Sequence, residues 1–294
     1  MNTSHELLKE KAPHGDLMLP MMVHHYSSTD ADSMVINPHW HKEYELLLVQ
    51  SGSAAFSIND HRFDISCGDI VFIRSGCLHS ACVTSTDEPF SFTAIVFDEA
   101  MLGSKAEDNI EIYYIDAVRK GQLTFPELIN KKDSIAPGIS QDISRIDEAF
   151  VHKAPAYELL SKALLFNIWY RLSSHPAQIK ESDKTGSGNI TLVKSILTFL
   201  QQNYMDEITL ADLSSRFGIS QGYLCRLFKK SVNMSVIDYL NYCRIQKAAG
   251  MLTTTTFSVS EIASNCGYNN ISYFNKVFLG FMHQTPTKFR RENA

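Results

Sequence analysis

The hydrophobic positions of this 294-residue chain change period twice, and those changes divide it before any residue is given a role. Apolar residues first come in short runs, at Glu45 to Val49, Ala54 to Ile58, Arg62 to Ile65, Asp69 to Ile73 and Ser91 to Phe97, with turn residues between them. Phe56 and Ile58 alternate with polar neighbours, Asn59-Asp60 is a hairpin dipeptide, and Phe63 and Ile65 alternate in turn. Regularly spaced short strands imply a β-sandwich or barrel. One more strand is expected near Met21 to Tyr26, within an irregular arm holding Pro13, Pro20 and a polar stretch at 27–33, and residues 98–138 are expected to add a few strands that close the barrel.

From Ile139 the period becomes helical. Ile143, Ile146 and Phe150 share one face, and Leu159, Leu160, Ala163, Leu164, Phe166, Ile168 and Leu172 give a second helix a broad apolar face. Residues 173–189 carry no apolar period and read as a linker, after which Ile190 to Tyr204 restarts as a helix with Val193, Ile196, Leu197 and Leu200 inward.

Beyond that helix one pattern occurs twice: LADLSSRFGISQGYLCRLF from Leu210, and VSEIASNCGYNNISYFNKVF from Val259. Aligned on Gly218 and Gly267, Leu210 meets Val259, Asp212 meets Glu261 and Leu213 meets Ile262. Each copy reads as a helix-turn-helix, with a Gly able to take positive φ at the turn and a capping residue opening the second helix, Ser220 in the first copy and Asn269 or Asn270 in the second. Leu224, Leu227 and Phe228 form the buried stripe of one second helix, and Phe274, Val277 and Phe278 that of the other. Gln221, Gly222, Cys225, Arg226 and Lys229 then face outward in the first copy, and Ile271, Ser272, Asn275 and Lys276 in the second. Ser235 is expected to cap a long helix to Leu252 that separates the copies.

Charge separates the same regions. The formal charge of -5 argues against nucleic acid, yet residues 1–188 carry 16 Lys and Arg against 26 Asp and Glu, while the remainder carries 11 against 6. The basic charge sits with the repeat. No apolar run approaches the length of a membrane span, and the first 20 residues have no signal-like core, so a cytoplasmic protein is expected. The six cysteines show no C-x-x-C pair and read as reduced thiols. No Ser/His/Asp triad or phosphate-binding Gly loop is present in the sequence.

The repeat, together with FKK at 228–230, YLNYCRIQKAAGML at 239–252, SYFNKVF at 272–278 and TPTKFRR at 285–291, resembles the DNA-binding domain of the AraC/XylS family of bacterial transcription regulators. The resemblance covers about the last hundred residues. It implies double-stranded DNA as partner, a homodimer, and RNA polymerase as a further partner if the protein is an activator. On that basis Arg226 and Lys276 would reach base edges or phosphates, Ser220, Gln221, Gly222, Cys225, Asn270, Ile271, Ser272 and Asn275 would read or position, and Lys229, Lys230, Arg290 and Arg291 would contact the backbone. Leu279-Gly280 and His283-Gln284 depart from the family pattern and leave the second unit less basic.

The strand-rich region holds a second constellation, His39-x-His41-x3-Glu45 followed by Gly68, Arg74, Gly76 and His79. On neighbouring strands of a small barrel these side chains can converge. The spacing resembles the two cupin motifs, although Arg74 stands where Pro is usual and Val83 where Asn is usual. Three readings stay open. His39, Trp40, His41, Tyr44, Glu45, Arg74 and His79 could bind a small-molecule effector such as a sugar, with an aromatic ring stacking on its apolar face and Arg74 otherwise pairing with Asp69 or Glu45. His39, His41, Glu45 and His79 could hold a divalent Zn, Ni, Mn or Fe, which need not be required for function. The histidines could also be purely structural.

The sequence therefore predicts a multi-domain α+β protein: a cupin-like effector-sensing barrel at 1–138, a helical pair for dimerisation at 139–175, a linker at 176–188 and an all-α DNA-binding domain with two helix-turn-helix units at 189–294. The expected function is an effector-responsive transcription regulator, an activator rather than an enzyme. The alternatives are a metal-dependent cupin isomerase or dioxygenase fused to a DNA-binding module, and a regulator controlled by metal or by a protein partner.

Overall fold

A computed structural model describes residues 15–16, 18–28, 34–84, 88–104, 108–177, 187–232 and 234–293. Most of the expected arm and linker lie outside these residues. The chain divides into two compact units, parting between Ser187 and Gly188.

The first unit is built on two antiparallel sheets. Strands β1 (Met21–Ser28), β3 (Tyr44–Ser51), β6 (Ile70–Ile73), β8 (Phe90–Phe97) and β9 (Leu128–Ile129) form one, in the order β1-β8-β3-β6-β9. Strands β2 (Met34–His39), β4 (Ser53–Ile58), β5 (His61–Ser66) and β7 (His79–Val83) form the other, in the order β2-β7-β4-β5. Asn59, at φ 54°, makes the expected turn between β4 and β5.

Alternation along β3 assigns its two faces. Leu47 and Val49 join Phe56, Ile58, Val71, Ile73, Ala81 and Val83 in the apolar layer that the two sheets share. Tyr44, Leu46 and Leu48 lie on the opposite face, in a second core with helices α2 (Ala136–His152) and α3 (Tyr157–Ser173). The expected barrel-closing strands at 98–138 are not found among the described residues beyond the two-residue β9. A 3-10 turn at Glu99–Met101, a π turn at Glu111–Ile115 and a short helix α1 (Asp116–Arg119) occupy that stretch instead. Their buried Met101, Ile115 and Val118 pack into the helical core rather than pairing as strands.

Helices α2 and α3 pack through Ile139, Ile143 and Ile146 and through Leu164, Leu165, Ile168, Trp169 and Leu172. Leu159 and Leu160, expected on the buried face of α3, lie at its first turn on the exposed side, with Leu159 70% exposed. The buried positions run through Ser161, Leu164, Leu165 and Ile168, which leaves Leu159 on the opposite side and Leu160, one turn before Leu164, at the exposed end of the stripe.

The second unit is all helical: α4 (Ser187–Gln202), α5 (Leu210–Phe217), α6 (Gln221–Val232), α7 (Val236–Thr254), α8 (Val259–Asn265), α9 (Ile271–Met282) and α10 (Pro286–Asn293). Helices α5–α6 and α8–α9 are the two helix-turn-helix units, and α7, capped by Ser235, joins them. Among the described residues no helix is long and apolar enough to cross a membrane.

Candidate functional site

The histidines and the carboxylate converge within the first unit. Glu45 shares the strand face of Leu47 and Val49, and His79 shares that of Ala81 and Val83, so both enter the layer between the sheets. His39 pairs directly with His79 across β2 and β7. The His39 and His79 rings lie 4.1 Å apart, with His41 5.1 Å from His79 and 5.6 Å from His39. His41, Glu45 and His79 are buried and His39 half-buried.

Backbone contacts orient all three imidazoles. Nδ1 of His39 donates to the Asn37 carbonyl at 2.8 Å, that of His41 to the Glu43 carbonyl at 3.1 Å and that of His79 to the Cys77 carbonyl at 3.0 Å. A carbonyl only accepts, so each Nδ1 donates, and where the ring is neutral, as at His79, Nε2 is left with a lone pair. Nε2 of His41 and of His79 lie 3.1 Å and 3.3 Å from the same oxygen, Oε2 of Glu45. Burial raises the Glu45 carboxyl, but the His41 and His79 contacts outweigh it and hold the group well below the usual carboxylate range. Burial and the His39 charge push His79 down to about 4, leaving it neutral at pH 7, and its Nε2 meets no hydrogen-bond geometry despite the short distance to Glu45. Two acceptors thus face each other in a buried place, an arrangement that a cation between them would relieve. The ligand atoms of the three histidines lie within 4.8 Å of one another, and three imidazoles with a carboxylate are the donor set of a first-row transition ion.

Two expected members of this site lie elsewhere. Tyr44 stacks with Phe72 and packs edge-on to Trp169 of α3, on the face of β3 opposite Glu45. Adjacent strand residues point to opposite faces, so Tyr44 and Glu45 cannot line one pocket. Arg74 follows Ile73, the partner of Glu45 on β6, and its charge acts with those of Glu99 and Arg119 on the Tyr44 hydroxyl, which burial pushes up to about 12. Arg74 pairs with neither expected carboxylate: Asp69 accepts from Ser66 and from the Lys131 amide, and Glu45 is taken by the histidines. Trp40 is half-buried beside His39 and His41 in the chain.

In the second unit both turn glycines adopt positive φ, 65° at Gly218 and 81° at Gly267. The aligned Asp212 and Glu261 prove to be capping-box carboxylates, paired with Thr209 and Ser258. Ser220 and Asn270 cap α6 and α9 by accepting from the Tyr223 and Tyr273 amides, so their side chains are engaged in local structure. Gln221, Gly222, Arg226, Lys229 and Lys230 are exposed on α6, with Cys225 half-buried, and Ile271, Ser272, Asn275 and Lys276 are exposed on α9. Arg291 is exposed, whereas Arg290 donates to the Leu252 and Phe257 carbonyls, clamping α10 to the end of α7. Two of its guanidinium nitrogens are thereby engaged in local structure, on carbonyls that lack helical partners. None of the six cysteines is in a disulfide, and burial pushes the Cys243 and Cys266 thiols up to about 12 and 11.

Residues missed from sequence surround α9. Asn241 of α7 accepts from the Tyr268 hydroxyl at 3.2 Å and donates to the Tyr273 hydroxyl at 3.0 Å. Arg244 lies over the Tyr268 ring and donates to the Tyr204 and Asp206 carbonyls. The available signal was a polar Asn241 on the buried side of an otherwise apolar helix stripe.

A β domain enclosing a polar cluster, carried on the same chain as two helix-turn-helix units, defines a DNA-binding regulator with a ligand-binding domain. The chain belongs to the AraC family of transcription regulators: residues 20–168 match the AraC-like ligand binding domain and residues 213–292 a helix-turn-helix domain. It is 26% identical to the uncharacterized HTH-type transcriptional regulator YdeC of Bacillus subtilis over 98% of this chain and 97% of that one. It is 30% identical to the uncharacterized regulator YdiP of Escherichia coli over 85% and 79%. Against the transcriptional activator RhaR of Mannheimia succiniciproducens it is 23% identical over 86% of each.

Proposed function

We propose that the chain is a transcription activator, acting as a homodimer, whose DNA binding is set by a small polar effector held at the His39, His41, Glu45 and His79 cluster. One observation carries the effector site: four ionisable side chains gather in the apolar layer between two sheets, where polar groups are costly unless a partner satisfies them. A sugar or related hydroxylated metabolite fits because its hydroxyls both donate and accept. Similarity to RhaR supports the activator role, with RNA polymerase as the partner, and the exposed Val151, Leu159 and Leu160 near the α2–α3 turn support self-association. A cytoplasmic setting fits DNA as target, and a bacterial one fits the relatives from Bacillus subtilis and Escherichia coli.

A second reading is favoured by the facing acceptors of His79 Nε2 and Glu45 Oε2: a divalent Zn, Fe, Ni or Mn is the ligand or anchors it. When bound it would supply Lewis acidity, and His39, His41, His79 and Glu45 would hold it. Metal analysis of the purified full chain, beside a thermal-shift screen of sugars and carboxylic acids, separates the two. Stoichiometric metal lost in His79→Ala supports the metal. Effector shifts in metal-free protein that vanish in Glu45→Gln support direct binding, and neither result would overturn the cluster as a ligand site.

A further inference from the structure

We infer that Asn241 is a positioning residue for DNA reading: its amide sets the tilt of the second recognition helix, α9, against the helix that joins the two reading units. Helix α9 is held along one side by apolar packing, where Phe274 and Phe278 meet Ile245, Ala248, Ala249 and Leu252 in the C-terminal half of α7. Towards the start of α7 that packing gives way to an open groove of about 380 Å³, bordered by Asp238, Lys276, Gly280 and Phe281. Gly280 offers no Cβ there, and one placed on it would meet nothing within 4 Å. On this side the apolar contact of α9 with α7 passes to Phe281 against Tyr242, ring centroids 6.1 Å apart, and the open groove beside them leaves the start of α9 to a polar tie.

The buried Asn241 crosses the gap. Its Oδ1 accepts from Tyr268, in the turn before α9, while its Nδ2 donates to Tyr273, in the first turn of α9, so one side chain holds two successive points of the second unit. Tyr268 is fixed in turn by Arg244 and by its edge-on contact with Phe274. Ser272, Asn275 and Lys276 share the short helix that this bridge orients, and a small tilt moves all of them relative to a base edge.

The test uses the full chain and a DNA site recovered by selection from a random pool, with the segments protected by α6 and by α9 scrambled separately. The wild type should lose about tenfold or more in affinity when the α9 segment is scrambled. Asn241→Leu should reduce that loss to within about twofold while the loss on scrambling the α6 segment stays as in the wild type. Tyr273→Phe, which removes only one hydroxyl at a side chain 46% exposed and so spares the fold, should give a partial version of the same split. Unchanged α9 discrimination in both variants overturns the proposal, as does a parallel loss at both segments. The proposal rests on α9 reading DNA, so absence of α9 discrimination in the wild type itself overturns both, and that outcome is distinguished by the wild-type data alone.

Discussion

The two helix-turn-helix units share a sequence frame but are held in place differently. In the first, the turn at Gly218 is open, with nothing within 4 Å of an added Cβ, and α6 is tethered near the surface by the Tyr223 hydroxyl donating to Asn189 of α4. In the second, Gly267 is pressed against the Tyr204 and Met205 carbonyls and α9 hangs on a buried Asn241 bridge. Duplication reproduced what a few neighbouring residues determine, namely the capping boxes, the left-handed turn and the buried Phe. It could not reproduce the neighbours, because α4 and α7 are different helices.

The largest expected effect tests that contrast at the turns. An added Cβ at Gly267 would lie 2.7 Å from the Met205 carbonyl oxygen and 2.9 Å from that of Tyr204, both backbone atoms that cannot swing aside. Gly267→Ala should therefore cost roughly 2–6 kcal/mol, combining left-handed strain with overpacking. Gly218→Ala meets only the conformational penalty of about 1–2 kcal/mol. Urea unfolding of the DNA-binding unit within the full chain measures both, and equal costs would break the contrast.

Next comes the reading surface. Arg226 projects from an α6 that also carries Lys229 and Lys230, and it lies back over Gly222 one turn earlier. Lys276 borders the groove beside α7, and the positions after Phe278 are Leu279 and Gly280 rather than basic residues. At fixed salt Arg226→Ala should cost on the order of 1–3 kcal/mol of operator affinity and Lys276→Ala less than about 1 kcal/mol. Equal losses in a titration would show that the two readers contribute alike.

What the sequence revealed and concealed follows the same division between local and distant causes. The hairpin at Asn59, the glycine turns and the caps depend on neighbouring residues and were legible. Strand β2 is not among the apolar runs of the sequence, since bulges between Met34, Ile36 and His39 break the alternation that marks a strand. Convergence of His39, His41, Glu45 and His79 was legible from motif spacing, but Tyr44 was misplaced even though its adjacency to Glu45 puts it on the other face. Arg290 and Asn241 were opaque because their partners lie 33 and 38, and 27 and 32, residues away.

The smallest effect concerns the feature that the two units should share. Thr209 and Ser258 each accept from the amide three residues on, while Asp212 and Glu261 reach back to the cap residue's amide. Thr209→Ala and Ser258→Ala should each cost about 1 kcal/mol. Side-chain and backbone hydrogen bonds from Thr209 and Ser258 lower the Asp212 and Glu261 carboxyls. Their folded pKa values thus lie below the unfolded ones, so the reciprocal half of each box stabilises above the usual carboxylate range and is lost as pH falls through the folded values. Both variants should accordingly look less destabilised in acid than at pH 7. Paired urea titrations across that range should give matching curves for the two units, because the box is built within four residues in each. A pH-dependent loss confined to one unit would mean that distant packing reaches even the caps, and the line drawn between duplicated local geometry and unduplicated surroundings would have to move.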